Sequence, residues 1–127
     1  MVKFEGYEFV DGGVCAAEGF TAAGVIAGIK AGNTTKRDLA MIYCAERCRA
    51  AALYTTNKVK GAPIYVTKKH LEDGYAQAVI VNSGNANTCN ENGIEIAEQM
   101  CELTAEALDI DANDVLVGST GVIGQPL

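Results

Sequence analysis

"QAVIVN" (residues 77–82), "SGNANTCNENG" (83–93) and "IEIAEQMCELTAEAL" (94–108), taken in order, decide the fold. The first, an apolar run, is the clearest buried strand in the sequence. No regular element would choose the second, whose Asn and Gly residues favour turns and left-handed backbone. In the third, Glu95, Glu98, Glu102 and Glu106 continue from Glu91 just before it to line one helical face, and Ile94, Ile96, Ala97, Met100, Cys101, Leu103 and Leu108 cover the rest. The acidic stripe reads as a solvated face. Asn92 with Glu95, or Thr88 with Glu91, has capping-box spacing. An acidic turn, a strand at 115–117 and a glycine-rich close follow.

Upstream, "EGFTAAGVIAGIKAGN" (18–33) reads as a strand with close neighbours, and 30–36 carries turn chemistry. "DLAMIYC" (38–44) is a short continuous apolar run, the pattern of a strand buried on both faces. "RAAALYTTN" (49–57) and "APIYVT" (62–67) read as further strands, the second entered through Pro63, whose missing N–H suits a strand start. "KKHLEDG" (68–74) reads as one or two helical turns stopped by Gly74. Several strands, a helix and a strand make a mixed sheet with helices layered on it, an α+β domain spanning 1–127 without repeat or linker.

Of the 127 residues, 49% are hydrophobic, which excludes disorder and is enough for a real core. Ten basic against sixteen acidic residues give a net charge of −6, which argues against nucleic acid or an anionic membrane as partner. Lys68, Lys69 and His70 read as a solvated helix start. Five scattered cysteines (15, 44, 48, 89 and 101) with one histidine suit neither a zinc site nor a disulfide framework, and read as reduced, mostly buried thiols of a cytoplasmic protein. "VKFEGYEFVDGG" (2–13) has no signal-peptide core.

A Walker loop needs Gly-Lys-Ser/Thr, which is absent. Asp109, Asp111 and Asn113 have calcium-loop spacing, but Asp114 replaces the turn glycine and Thr120 the bidentate glutamate. Ser83 lacks the leading glycine of a nucleophile elbow, and His70 sits among lysines. Two loops remain. "GSTGVIG" (118–124) is either a tight turn or an oxyanion hole, in which Thr120 offers a hydroxyl and an amide and Gly121 an unobstructed amide. Asn82, Ser83, Asn85 and Asn87 are either a polar substrate surface, props for neighbouring loops, or self-capping turn residues.

"VNSGNANTCNENG" and "VLVGSTGVIGQPL", preceded in order by "GFTAAGVIAGIK", "DLAMIY", "TTNKVKGAP" and "AQAVIVNSGNAN", resemble the amino-terminal part of the ornithine acetyltransferase family from about Gly13 to Leu127. The resemblance implies a bifunctional acyltransferase of arginine and amino-acid biosynthesis, with an αββα layered sandwich shared with self-processing aminopeptidases. It implies a precursor that cuts itself before a threonine, and an α2β2 heterotetramer with the β chain. That threonine takes acetyl from N-acetylornithine and passes it to glutamate; acetyl-CoA is a further donor, and no cofactor or metal is implied. Thr120 and Gly121 would form the oxyanion hole. The nucleophile lies outside these residues, so the chain would be an incomplete α-chain segment, inactive alone and exposing an apolar face. The alternatives are an aminopeptidase or amidohydrolase of the same fold, or a non-catalytic scaffold.

Overall fold

The computed structural model describes residues 5–127. Four strands, β1 (Phe20–Val25), β2 (Leu39–Arg49), β3 (Tyr75–Asn85) and β4 (Val115–Val122), form one sheet in the order β1-β2-β3-β4. The first two pairings are antiparallel and β3–β4 is parallel, so the sheet is mixed. Helix α2 (Gly93–Leu108) makes the crossover that a parallel pair requires. Helix α1 (Ala62–His70) joins it on the same face, which makes the fold α+β.

The register explains the layering. Ala78, Ile80, Val115 and Val117 lie on the helical face and pack with Val66 of α1 and Ala97, Cys101 and Ala105 of α2. Val66 and Val115 are 1% and 0% exposed, and burying each is worth about 1.5–3 kcal/mol. The intervening residues alternate to the other face. There Ala22, Ile42, Val79 and Leu116 align across the strands with Ala40, Val81 and Gly118, exposed or half-buried, with no helix among the described residues over them.

Several sequence readings are corrected. Residues 62–67 are helical: Pro63 falls in the first turn, where a missing N–H and a fixed φ suit a helix as well as a strand. Thr67 shows what overrides the β propensity of this segment: its hydroxyl donates to the Val117 carbonyl (2.9 Å) and accepts from the Val117 amide (3.1 Å) on the outer edge of β4. Residues 50–57 form no strand beyond the end of β2, and Leu53 is fully exposed. The strand expected over 18–33 is confined to β1, and β3 runs on through Ser83 to Asn85. No side-chain cap closes the start of α2; Asn92 occupies the N-cap without such a bond. The basic cluster is the last turn of α1, where cations complement the helix dipole. Cys44 and Cys101 are buried, Cys48 is intermediate, and Cys15 and Cys89 are exposed; none forms a disulfide. Among the described residues no helix is long and apolar enough to cross a membrane.

Candidate active site

The parallel pairing of β3 and β4 brings the two loops together. Ser83 lies opposite Thr120, Gly84 opposite Gly121 and Asn85 opposite Val122. This is the carboxyl end of both strands, the end at which crossover sheets bind ligands. Gly121 has φ +125°, and a Cβ there would lie 2.3 Å from the Gly84 carbonyl carbon and 2.7 Å from the Asn85 nitrogen. Only glycine allows the two backbones to approach so closely. Gly84, at φ +128°, is overlaid in turn by Lys30, whose Cβ would be 3.4 Å from a Cβ built there.

The asparagine-rich turn fixes this geometry. Asn85 Nδ2 donates to the carbonyls of Gln125 (2.7 Å) and Pro126 (3.0 Å), and Asn90 Nδ2 donates to that of Gln125 (2.8 Å). The Gly124 amide donates to the Thr88 carbonyl and the Ala86 amide to that of Val122, each at 2.9 Å. Asn82 Nδ2 donates to the Asn85 carbonyl (2.9 Å), and Asn87, itself in left-handed backbone, donates to that of Gly93 (2.8 Å). Asn82, Asn85 and Asn87 are therefore buried props that hold neighbouring backbone, and only Ser83 of the four is exposed. Asn82 Oδ1 and Ser119 Oγ, on opposed residues, are the two buried side-chain polar atoms without a hydrogen-bond partner among the described residues.

Thr120 and Gly121 are exposed. The strand alternation sends Val115, Val117 and Ser119 toward the helices and Thr120 to the uncovered face, where its hydroxyl has no protein partner among the described residues. β4 is an edge strand. Val115 and Val117 turn their backbone groups to its outer edge, where His70 and Thr67 bond them, while Val122 turns its carbonyl inward to Ala86. The same alternation puts the Gly121 amide on the outer edge. The Thr120 hydroxyl on the uncovered face and the Gly121 amide on the outer edge are thus neighbouring donors, of the kind that can stabilise an oxyanion.

Asp38 shapes the flanking loop. Its carboxylate accepts from the amides of Ala27 (2.7 Å) and Ile29 (2.9 Å) and from Asn33 Nδ2 (2.7 Å), and its carbonyl accepts from the Ser83 amide (2.8 Å). Burial works to raise the Asp38 carboxyl, but these hydrogen bonds outweigh it and hold the group below its ordinary value. A cleft of about 180 Å³ results, lined by Lys30, Asn33, Lys36, Arg37, Asp38, Ser83 and Gly84.

His70 is not solvated, as its lysine neighbours suggest, but 4% exposed at the opposite end of the sheet. Nδ1 meets the Val115 carbonyl (2.8 Å) and Nε2 the Glu98 carboxylate (2.9 Å), so the ring is locked between acceptors and tied to the core. Glu98, which also pairs with Lys69, is thereby drawn out of the solvated stripe. Arg47 bridges Asp114 and Asp73 nearby, and Asp111 caps its own turn by accepting from the Asn113 amide (2.8 Å) instead of lining an ion site. Burial pushes the Cys101 thiol up to about 12, which removes it as a nucleophile. No cluster of three or more His, Cys, Asp or Glu side chains suited to a metal occurs among the described residues. Nothing in the sequence links His70 to partners 28 and 45 residues away.

The model of the ArgJ family matches residues 21–127. The chain is 49% identical over 121 residues to the arginine biosynthesis bifunctional protein ArgJ of Caldanaerobacter subterraneus subsp. tengcongensis, covering 94% of this chain and 29% of that protein. It is 50% identical over 109 residues to ArgJ 1 of Clostridium acetobutylicum, covering 85% and 26%. The chain thus spans less than a third of the length of these relatives. Among solved structures it is similar to ArgJ of Bacillus halodurans (TM-score 0.84, 42% identity, 90% of this chain and 59% of that one). It is similar also to the ornithine acetyltransferase of Mycobacterium tuberculosis, solved in complex with ornithine (TM-score 0.82, 42% identity, 90% and 62%).

Proposed function

Because the chain belongs to the ArgJ family, we propose that it supplies the oxyanion hole of an ornithine acetyltransferase, working with the remainder of a larger, self-cleaved precursor. A threonine exposed by that cleavage attacks the acetyl carbonyl of N-acetylornithine, its own α-amino group taking the hydroxyl proton. Charge collects on the acetyl oxygen, which accepts from the Thr120 hydroxyl and the Gly121 amide. The intermediate collapses with loss of ornithine, which takes up the proton, and leaves an acetyl ester on threonine. The amine of glutamate attacks that ester through a second oxyanion in the same place; its proton passes by way of the α-amino group to the threonine oxygen as the ester bond breaks, so acetylglutamate leaves and the free threonine is restored. Acetyl-CoA is an alternative donor. No metal or cofactor takes part.

The observation that carries this reading is the enforced approach of Gly121 to Gly84, which fixes the backbone bearing the two neighbouring donors. Donors fixed in advance are the usual source of large transition-state stabilisation, and losing one costs about 10²–10³-fold in kcat. The uncovered apolar face, on which the Thr120 hydroxyl stands, is where the second sheet of the αββα sandwich stacks and from which the nucleophile arrives. In that arrangement the β chain stays bound in an α2β2 cytoplasmic enzyme, and the isolated chain is inactive.

The complete protein incubated with N-acetylornithine, with and without glutamate, tests the proposal. Acetylglutamate formed only when glutamate is supplied supports it. Free acetate released without an acceptor product points to a hydrolase of the same fold, and no turnover points to a scaffold.

A further inference from the structure

We propose that Asn85 is a positioning residue for acetyl transfer: its side chain clasps the backbone just beyond Thr120 and Gly121 and so fixes where the two donors stand; this rests on the function proposed above. Asn85 is 5% exposed, and both ends of its carboxamide are engaged. Nδ2 donates to the Gln125 carbonyl (2.7 Å) and to that of Pro126 (3.0 Å), while Oδ1 accepts from the Asn87 amide (3.0 Å). Its main chain meets Gly121 directly, since the Asn85 nitrogen lies 2.7 Å from where a Gly121 Cβ would stand. One residue thus touches Gly121 with its backbone and holds residues 125 and 126 with its side chain. The stretch between is closed onto the asparagine-rich turn by the Val122 carbonyl, which accepts from the Ala86 amide, and by the Gly124 amide, which donates to the Thr88 carbonyl.

The end of β4 can be held from one side alone. Helix α1 braces the outer edge at Val115 and Val117, through His70 and Thr67. Farther along, that edge carries the Gly121 amide and must stay open for an oxyanion to reach it. Restraint has to come from the β3 side, where Asn85 sits opposite Val122. The segment needs it, because the glycines at 118, 121 and 124 leave its backbone more freedom than other residues would, and exposed strand ends open before the core does. Without the Asn85 amide, the Pro126 carbonyl loses its donor and the Gln125 carbonyl keeps only that of the half-buried Asn90 (2.8 Å). The unmet carbonyls then favour movement of the segment toward water. A displacement of about 1 Å at the donors is enough to slow the reaction about 10²-fold.

The test is the single-turnover rate at which N-acetylornithine acetylates the complete protein, referred to the amount of cleaved protein. Wild type is compared with Asn85→Ala, Asn90→Ala, Thr120→Val and the double variant Asn85→Ala/Thr120→Val. Asn85→Ala is expected to slow acetylation by about ten-fold or more and to leave ornithine affinity, read by calorimetry, within about two-fold of wild type, since misplaced donors fail only the transition state. Asn90→Ala, which leaves both Asn85 bonds in place, should cost less than about three-fold. On the Thr120→Val background the Asn85→Ala change should also cost less than about three-fold, because groups that act as a unit are not additive, whereas a merely structural loss multiplies through. Asn85→Ser, with one donor in place of two, serves if Asn85→Ala does not fold. The proposal is overturned if the Asn85 variants acetylate within about two-fold of wild type, or if their effect is the same with and without the Thr120 hydroxyl. A slow Thr120→Val beside a fast Asn85→Ala leaves the oxyanion hole standing and removes the clasp; a fast Thr120→Val removes both. Amide exchange needs no acetyl transfer: exchange at Gly124 should be about ten-fold faster or more in Asn85→Ala while that at Val66 of α1 is unchanged, and equal exchange at Gly124, or equal acceleration at both, overturns the clasp.

Discussion

Replacing Gly121 by alanine adds one methyl group where the structure leaves no room. The new Cβ would sit 2.3 Å from the Gly84 carbonyl carbon, and ordinary contact begins near 3.4 Å, so β4 must move from β3 by about 1 Å. A left-handed φ on alanine costs about 1–2 kcal/mol, and forcing packed backbones apart about 1–3 kcal/mol more. The sum is about 2–5 kcal/mol, read as a lower denaturant midpoint of the complete protein. A shift of that size also moves the Gly121 amide out of reach of the oxyanion, at a cost of about 10²-fold in kcat. Gly124→Ala is the control: φ there is +76°, but nothing lies within 4 Å of the added carbon, so only the backbone cost of about 1–2 kcal/mol applies. Wild-type stability and turnover in Gly121→Ala, or equal losses in the two variants, would refute the reasoning.

Ser119→Ala removes a buried hydroxyl without a hydrogen-bond partner among the described residues and should leave the denaturant midpoint unchanged or slightly higher, whereas Asn82→Ala breaks the bond to the Asn85 carbonyl and should cost about 2 kcal/mol. Thr67→Val strips both hydrogen bonds from Val117; a loss of about 1–3 kcal/mol and faster amide exchange at Val117 would show that α1 guards the edge of β4. Burial works to raise the Glu98 carboxyl, but the bonds from Lys69 and His70 outweigh it and hold the group below its ordinary value. Its contribution to stability is therefore complete above the unfolded value of about 4.3 and fades as the pH falls through the depressed folded value. Acid titration of Glu98→Gln should show a shallower decline in stability over that range.

What could be read from the sequence depended on how local its cause was. β3, β4 and α2 are legible because their apolar runs and helical spacing report burial along their own length. α1 is not, because Ile64, Val66 and Thr67 favour strands and Pro63 suits the start of either element; the contact that settles it, Thr67 to Val117, spans 50 residues. The glycines of the site are legible as unusual but not as necessary. Gly121 is forced by Gly84, 37 positions earlier in the chain, and only the parallel register brings them together. The three buried asparagines looked as ready to bind a ligand as to brace backbone, since either use calls for the same side chain. His70 misleads for the converse reason: its sequence neighbours are solvated lysines, and its spatial neighbours are Val115 and Glu98.

The oxyanion assignment is tested most directly by the single-turnover rate at which N-acetylornithine acetylates the complete protein, in wild type and in Thr120→Val. The hydroxyl is exposed and has no hydrogen-bond partner among the described residues, so stability should stay within about 0.5 kcal/mol of wild type. Ornithine affinity should also be unchanged, and the acetylation rate should fall by about 10²–10³-fold, since the donor acts only on charge that develops in the transition state. Acetylation of Thr120→Val at the wild-type rate would contradict the account.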